Sequence, residues 1–142
     1  MGKILYIGCF FDPEKLEKAL AGCQRTPLSQ KIEVPHVTFA FRPETVPAEL
    51  FGTAVTVRAV GYGNDGANEA LAVEFLAVPE GLEALASRIP VPHITLSVSK
   101  TGKPVNSRYL TFTPMEPITL TGRFGGMEVS GRVCYSADAP GI

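Results

Sequence analysis

Apolar and polar positions change period several times along the chain, and each change marks an element. Residues 3–11 contain Ile4, Leu5, Ile7, Phe10 and Phe11 in a nearly continuous apolar run, the pattern of a buried strand. Asp12, Pro13 and Glu14 follow, with Leu16 and Leu20 further on, which is the pattern of a capped helix with proline in its first turn. From Val34 the chain alternates as a strand: Val37, Phe39 and Phe41 share one face, His36 and Thr38 the other. A second alternating run sets Ile94, Leu96 and Val98 against His93, Thr95 and Ser97. Further strands are expected over residues 55–61, 70–78, 118–122 and 127–135, the last two pairing across a turn at Gly125 and Gly126, and a helix over 79–86. The glycine-rich stretch 61–68 lacks the Lys-(Ser/Thr) of a phosphate loop and reads as a hairpin connection.

These elements fall into two copies, over roughly residues 3–63 and 70–126. Pro13 matches Pro79 and Leu16 matches Leu82 at one offset, and Val-Pro-His-Val-Thr-Phe at residues 34–39 matches Val-Pro-His-Ile-Thr-Leu at 91–96. The repeat is too long and too degenerate for a solenoid unit. Each copy reads strand, helix, strand, strand, which gives an α+β protein with helices outside mostly antiparallel sheets. The expectation is a single domain over 1–142 made of two lobes related by a pseudo-twofold axis, with two sheets around a central cleft. Clefts between such units are favoured ligand sites.

Length and charge narrow the classes. A chain of 142 residues is one domain's worth. Thirteen basic against fourteen acidic side chains leave a net charge of −1, which disfavours coating of long duplex nucleic acid, where many phosphate contacts are needed. No apolar run approaches the roughly 20 residues of a membrane span, and the first one lacks a cleavage site, so no membrane association is expected. Cys9, Cys23 and Cys134 form no CxxC pair, which suggests reduced thiols in a cytoplasmic protein. A monomer is expected.

The chain's only two histidines, His36 and His93, occupy the same place in the two matched strands. If the copies meet about a twofold, two imidazoles face each other across one cleft. With an ordinary pKa of about 6.5, one can be neutral and the other protonated near neutral pH. The neutral ring can take a proton from an attacking water while the charged one gives a proton to a leaving oxygen. Thr38 and Thr95, two residues along on the same face, offer hydroxyls to oxygens on which negative charge builds. Zinc is poorly served, because neither matched run carries a third histidine, a cysteine or a carboxylate. No cofactor is expected.

The paired motifs His36-Val37-Thr38 and His93-Ile94-Thr95 resemble those of the 2H phosphoesterase superfamily, which carries two His-x-(Thr/Ser) motifs on equivalent strands of a duplicated α+β fold. The resemblance implies a metal-independent phosphodiesterase. The substrate it implies is a 2′,3′-cyclic phosphate at an RNA 3′-end or on a small nucleotide. It also implies His36 as the acid, His93 as the base, and Thr38 and Thr95 as phosphate ligands. Two alternatives stand beside it: hydrolysis of cyclic di- or oligonucleotide signals, as in phage anti-defence enzymes, and a non-catalytic nucleotide or RNA-end binding module.

Other candidates surround the second motif. Between Glu83 and Glu116 there is no acidic residue, while Arg88, Lys100, Lys103 and Arg108 fall there, so a local positive field is expected near His93. Lys100, Lys103 and Ser97 are therefore candidate substrate contacts. Tyr62 is a candidate base-stacking residue, and Tyr6, on a face opened by Gly8, a candidate ligand contact. The segment 102–108 is a candidate helical turn after the second motif.

Overall fold

A computed structural model describes residues 3–135. The strands are β1 (Ile4–Phe10), β2 (Gln30–Lys31), β3 (His36–Phe41), β4 (Ala54–Asn64), β5 (Asn68–Ala77), β6 (His93–Val98), β7 (Thr113–Glu128) and β8 (Val133–Cys134). The helices are α1 (Pro13–Ala19) and α2 (Glu83–Ser87). Asp12 caps α1, its Oδ1 accepting from the Lys15 amide at 3.1 Å, and Leu16 and Leu20 bury the inner face. Before α2, Gly81 adopts φ +100°, a left-handed conformation that turns the chain, so the second helix starts later than the 79–86 run suggests.

The molecule is α+β, with a sheet antiparallel throughout the described pairings, in the order β2-β6-β5-β4-β7-β1-β3, and β8 added beside β7. Instead of two sheets there is one continuous hydrogen-bonded path. The pairing of β4 with β7, from Ala54↔Arg123 to Tyr62↔Thr113, joins the halves. Both strands have a dry face suited to the middle of a sheet: Val55, Val57 and Ala59 on β4, Leu120 and Phe124 on β7. With the two-residue strands β2 and β8 set aside, exchanging β1, β3 and β4 for β5, β6 and β7 returns the same strand order read backwards.

The hairpin expected at Gly125 and Gly126 lies elsewhere. β7 runs straight through both glycines, and the chain reverses after Glu128, with Gly131 at φ +93°. The two glycines answer to crowding: a Cβ on Gly125 would sit 2.6 Å from the Cys134 carbonyl oxygen, and one on Gly126 2.8 Å from Ile4 Cδ1. Between β4 and β5 a tight turn does form, with Asp65 Oδ1 accepting from the Ala67 and Asn68 amides and Gly66 at φ +85°.

The sheet curls until β3 and β6, far apart along the strand order, bring Cα atoms within 8 Å. The core fills the curl. Phe39 stacks on Phe75 with centroids 5.5 Å apart and meets Phe124 edge-on, while Val37, Ile94 and Leu96 close it beneath the two histidine strands. Leu16 and Leu82 both end in this core. No helix among the described residues is long and apolar enough to cross a membrane.

Candidate active site

His36 and His93 each open a strand, and each strand is held by its neighbour in the same way. In the β1–β3 pair Phe10 lies opposite His36 and Gly8 opposite Thr38; in the β5–β6 pair Ala72 lies opposite His93 and Ala70 opposite Thr95. Both pairs carry a bulge one step further on, between Ile7 and Gly8 and between Glu69 and Ala70. The strand partners therefore correspond at an offset of 62, against 66 for Pro13 and Pro79, because β5 runs on to Ala77 before the second helix. At Gly8 a side chain is excluded, since its Cβ would overlap the Val37 carbonyl oxygen.

His36, Thr38, His93 and Thr95 line one cleft of about 540 Å³. Its walls are otherwise mostly apolar, with Leu5 and Phe41 on one side and Ile89, Val91 and Val105 on the other. Tyr6 and Arg108 complete the polar lining, and among the described residues no carboxylate contributes.

The two imidazoles are anchored alike. His36 Nδ1 lies 2.9 Å from the Val34 carbonyl oxygen and His93 Nδ1 2.8 Å from that of Val91. A carbonyl oxygen only accepts, so Nδ1 carries the proton in both rings. Nε2 is then the position that exchanges protons with a ligand, a lone pair in the neutral ring and an N–H in the charged one. Burial holds His36 below its ordinary pKa; the Val34 carbonyl pulls the other way, and the neighbouring charge of His93 adds to the lowering. His93 is also lowered, first by burial and further by the Arg108 guanidinium, against the carbonyls of Val91 and Pro104. Tyr6 packs on His36 with ring centroids 4.8 Å apart, and Phe10 lies 5.5 Å from the same ring. Burial pushes the Tyr6 phenol up to about 12, so it stays protonated.

The threonines differ. Thr95 is buried, its Oγ1 2.8 Å from Ser107 Oγ and 3.2 Å from the Pro104 carbonyl oxygen. Thr38 lines the cleft at half-burial, and its hydroxyl makes no hydrogen bond among the described residues.

Of the further candidates, Tyr6 lines the cleft, while Tyr62, Ser97, Lys100 and Lys103 do not. Tyr62 and Ser97 belong to a buried network around Glu69. Tyr62 Oη donates to Glu69 Oε2 at 2.7 Å, Ser97 Oγ to Oε1 at 2.7 Å, and Arg25 closes on both oxygens at 2.9 and 2.8 Å. Ser97 shares its face with Thr95 by simple alternation, but β2 covers that end of β6 and the Leu28 amide donates to Ser97 Oγ. Lys100 and Lys103 are exposed. The residues that sequence reasoning left out are Asn68, Ser107 and, as a site residue, Arg108. Only Arg108 had a signal, its place in the acid-free interval. Among the described residues no group of three or more His, Cys, Asp or Glu side chains could hold a metal ion.

No protein-family model matches the chain, and no curated protein matches it.

Proposed function

We propose that the chain is a phosphodiesterase of the 2H type, hydrolysing a 2′,3′-cyclic phosphate at an RNA 3′-end or on a small nucleotide by histidine acid–base catalysis without a metal. One observation carries this reading: the only two histidines line the same cleft from corresponding strands, each with Nδ1 held by the backbone carbonyl two residues before it. The strand order that reads the same after exchange of the two halves, and the matched bulges beside both motifs, support a duplicated, two-lobed origin for the fold. One chain supplies both imidazoles, so a monomer suffices.

In this mechanism His93 Nε2 takes a proton from water as the water oxygen bonds to phosphorus. The bond from phosphorus to one ribose oxygen breaks, and His36 Nε2–H delivers its proton to that oxygen. A phosphomonoester and a free ribose hydroxyl result, and proton exchange with solvent resets the pair. The substrate's own negative charge raises the pKa of both rings when it binds, which offsets the lowering by burial and lets the acid hold its proton. The Thr38 hydroxyl is available to a non-bridging oxygen as charge accumulates there.

The test is turnover of 2′,3′-cyclic nucleotides and cyclic-phosphate RNA ends, with cyclic dinucleotides in the same panel. His36→Ala and His93→Ala should each cost roughly 10²–10⁴-fold, the usual range for one acid–base group. A chelator should leave the rate unchanged. Activity that survives both substitutions would refute the acid–base reading, and turnover confined to cyclic dinucleotides would refute the substrate.

A further inference from the structure

The cleft treats its two hydroxyl residues unequally. A chain of three hydrogen bonds, with one branch, runs beside His93. Asn68, buried at the end of the β4–β5 turn, donates through Nδ2 to Ser107 Oγ at 2.9 Å and to the Lys103 carbonyl oxygen at 2.7 Å. An amide N–H only donates, so Ser107 Oγ accepts there and its own proton is free for Thr95 Oγ1, 2.8 Å away. The Thr95 proton is then directed to the Pro104 carbonyl oxygen at 3.2 Å. In this arrangement Thr95 has no proton to offer a phosphate.

All three contacts grip one short element, the 3-10 turn Pro104–Tyr109. Its approach is fixed as well: the Ser99 amide donates to the Ala67 carbonyl oxygen at 2.9 Å, and a Cβ on Gly102 would overlap that same oxygen. Arg108 lies on this turn, one residue after Ser107, and lines the cleft. Its guanidinium donates to Tyr109 Oη at 2.8 Å and lies over the Tyr109 ring, and it forms no ion pair with a carboxylate among the described residues. Among the described residues it is the one permanently charged cation lining the cleft, and no carboxylate lines it.

We propose that Arg108 holds the charge of the substrate's phosphodiester, and that Asn68, Ser107 and Thr95 are positioning residues that fasten the 3-10 turn so that Arg108 faces His93. The proposal rests on the reading of this cleft as a phosphodiester site and divides labour within it. Thr38 donates to the phosphate from the β3 side, and Arg108 takes the place on the β6 side that a second free threonine would fill. A single fixed cation matches a monoanionic diester better than a dianionic monoester, which favours release of the product.

The probe is dimethyl phosphate, the simplest phosphodiester monoanion, followed by NMR of the two histidine rings across a pH titration. The titratable or charged groups sharing the cleft with His93 are Arg108 from the 3-10 turn, His36 from β3 and Tyr6 from β1. R108Q should weaken dimethyl phosphate binding by about tenfold or more, the loss of a charge-assisted hydrogen bond. It should also raise the His93 pKa while moving that of His36 less. S107A, N68A and T95V should move both readouts in the same direction by smaller amounts, and T95S, which keeps the hydroxyl, should restore wild-type values. With a turned-over substrate, R108Q should raise KM more than it lowers kcat. Wild-type affinity in R108Q overturns the assignment of Arg108. Wild-type affinity and His93 titration in T95V overturn the positioning role, and T95V with T95S reads that role even if S107A fails to fold. Binding of dimethyl phosphate requires no hydrolysis, so failure of this proposal and failure of the phosphodiesterase reading are separate results.

Discussion

Glu69 is fully buried on β5, and its two oxygens receive four hydrogen bonds: Arg25 Nη2 and Ser97 on Oε1, Arg25 Nε and Tyr62 on Oε2. Glu69→Gln keeps the shape and removes the charge. Either orientation of the amide then sets an N–H group against two donors, and Arg25, whose side chain is only 13% exposed, loses its buried partner and keeps only the half-exposed Glu17 carboxylate, 3.4 Å away. Breaking one side of a buried pair costs about 3–5 kcal/mol. With each kcal/mol worth about 3 °C for a chain of this size, the variant should melt about 10 °C or more below the wild type near neutral pH. The pH dependence has a definite sign. Burial alone would raise the Glu69 pKa, but the bonds from Arg25, Ser97 and Tyr62 outweigh it and hold the carboxyl below its ordinary value of 4.5. A depressed folded-state pKa gives stability that is fully present above the unfolded value and lost as pH falls through the folded one. The gap between wild type and variant should therefore be constant above about pH 4.5 and close at lower pH. Calorimetric melts of both proteins across that range measure it. Equal melting temperatures near neutrality, or a gap that widens on acidification, would refute the reasoning.

Both imidazoles lie below the ordinary histidine value of 6.5, so kcat/KM, which reports the free enzyme, should peak on the acid side of 6.5 and fall as pH rises and the acid loses its proton. A peak on the alkaline side contradicts the assignment. Gly8→Ala forces a methyl group against the Val37 carbonyl oxygen beneath His36 and should lower stability by about 1–3 kcal/mol, read from the urea midpoint. An unshifted midpoint would mean that β1 and β3 can separate at no cost.

His36, Thr38, His93 and Thr95 were legible because strand alternation is local: two residues on, the side chain returns to the same face, and Val37, Phe39, Ile94 and Leu96 fix which face is dry. α1 was legible from Asp12 and Pro13, whose capping chemistry acts within one turn. What failed depended on chain segments far apart. Tyr62 and Ser97 looked free because nothing near them names Arg25, a partner that the fold brings to Glu69 from 44 residues away. The role of Thr95 changes through Ser107 and Asn68, which reach it from a turn 12 residues on and a hairpin 27 residues back. Gly125 and Gly126 read as a turn because glycine serves both reversal and close approach, and only the packing of Cys134 and Ile4 decides between them.

The strand order also bears on how the chain reaches its final state. Within the first 64 residues, β4 pairs with neither β1 nor β3, because β7 lies between them. The amino-terminal part therefore has only the β1–β3 pair, which joins no further strand until residues 123–128 of the same chain arrive. During synthesis the β1–β3 pair, which bears His36, must wait for nearly the whole polypeptide before it joins the other strands, and such non-local pairing is slow. Neither half completes its sheet without a strand of the other, and the cleft comes into being only as the two interleave.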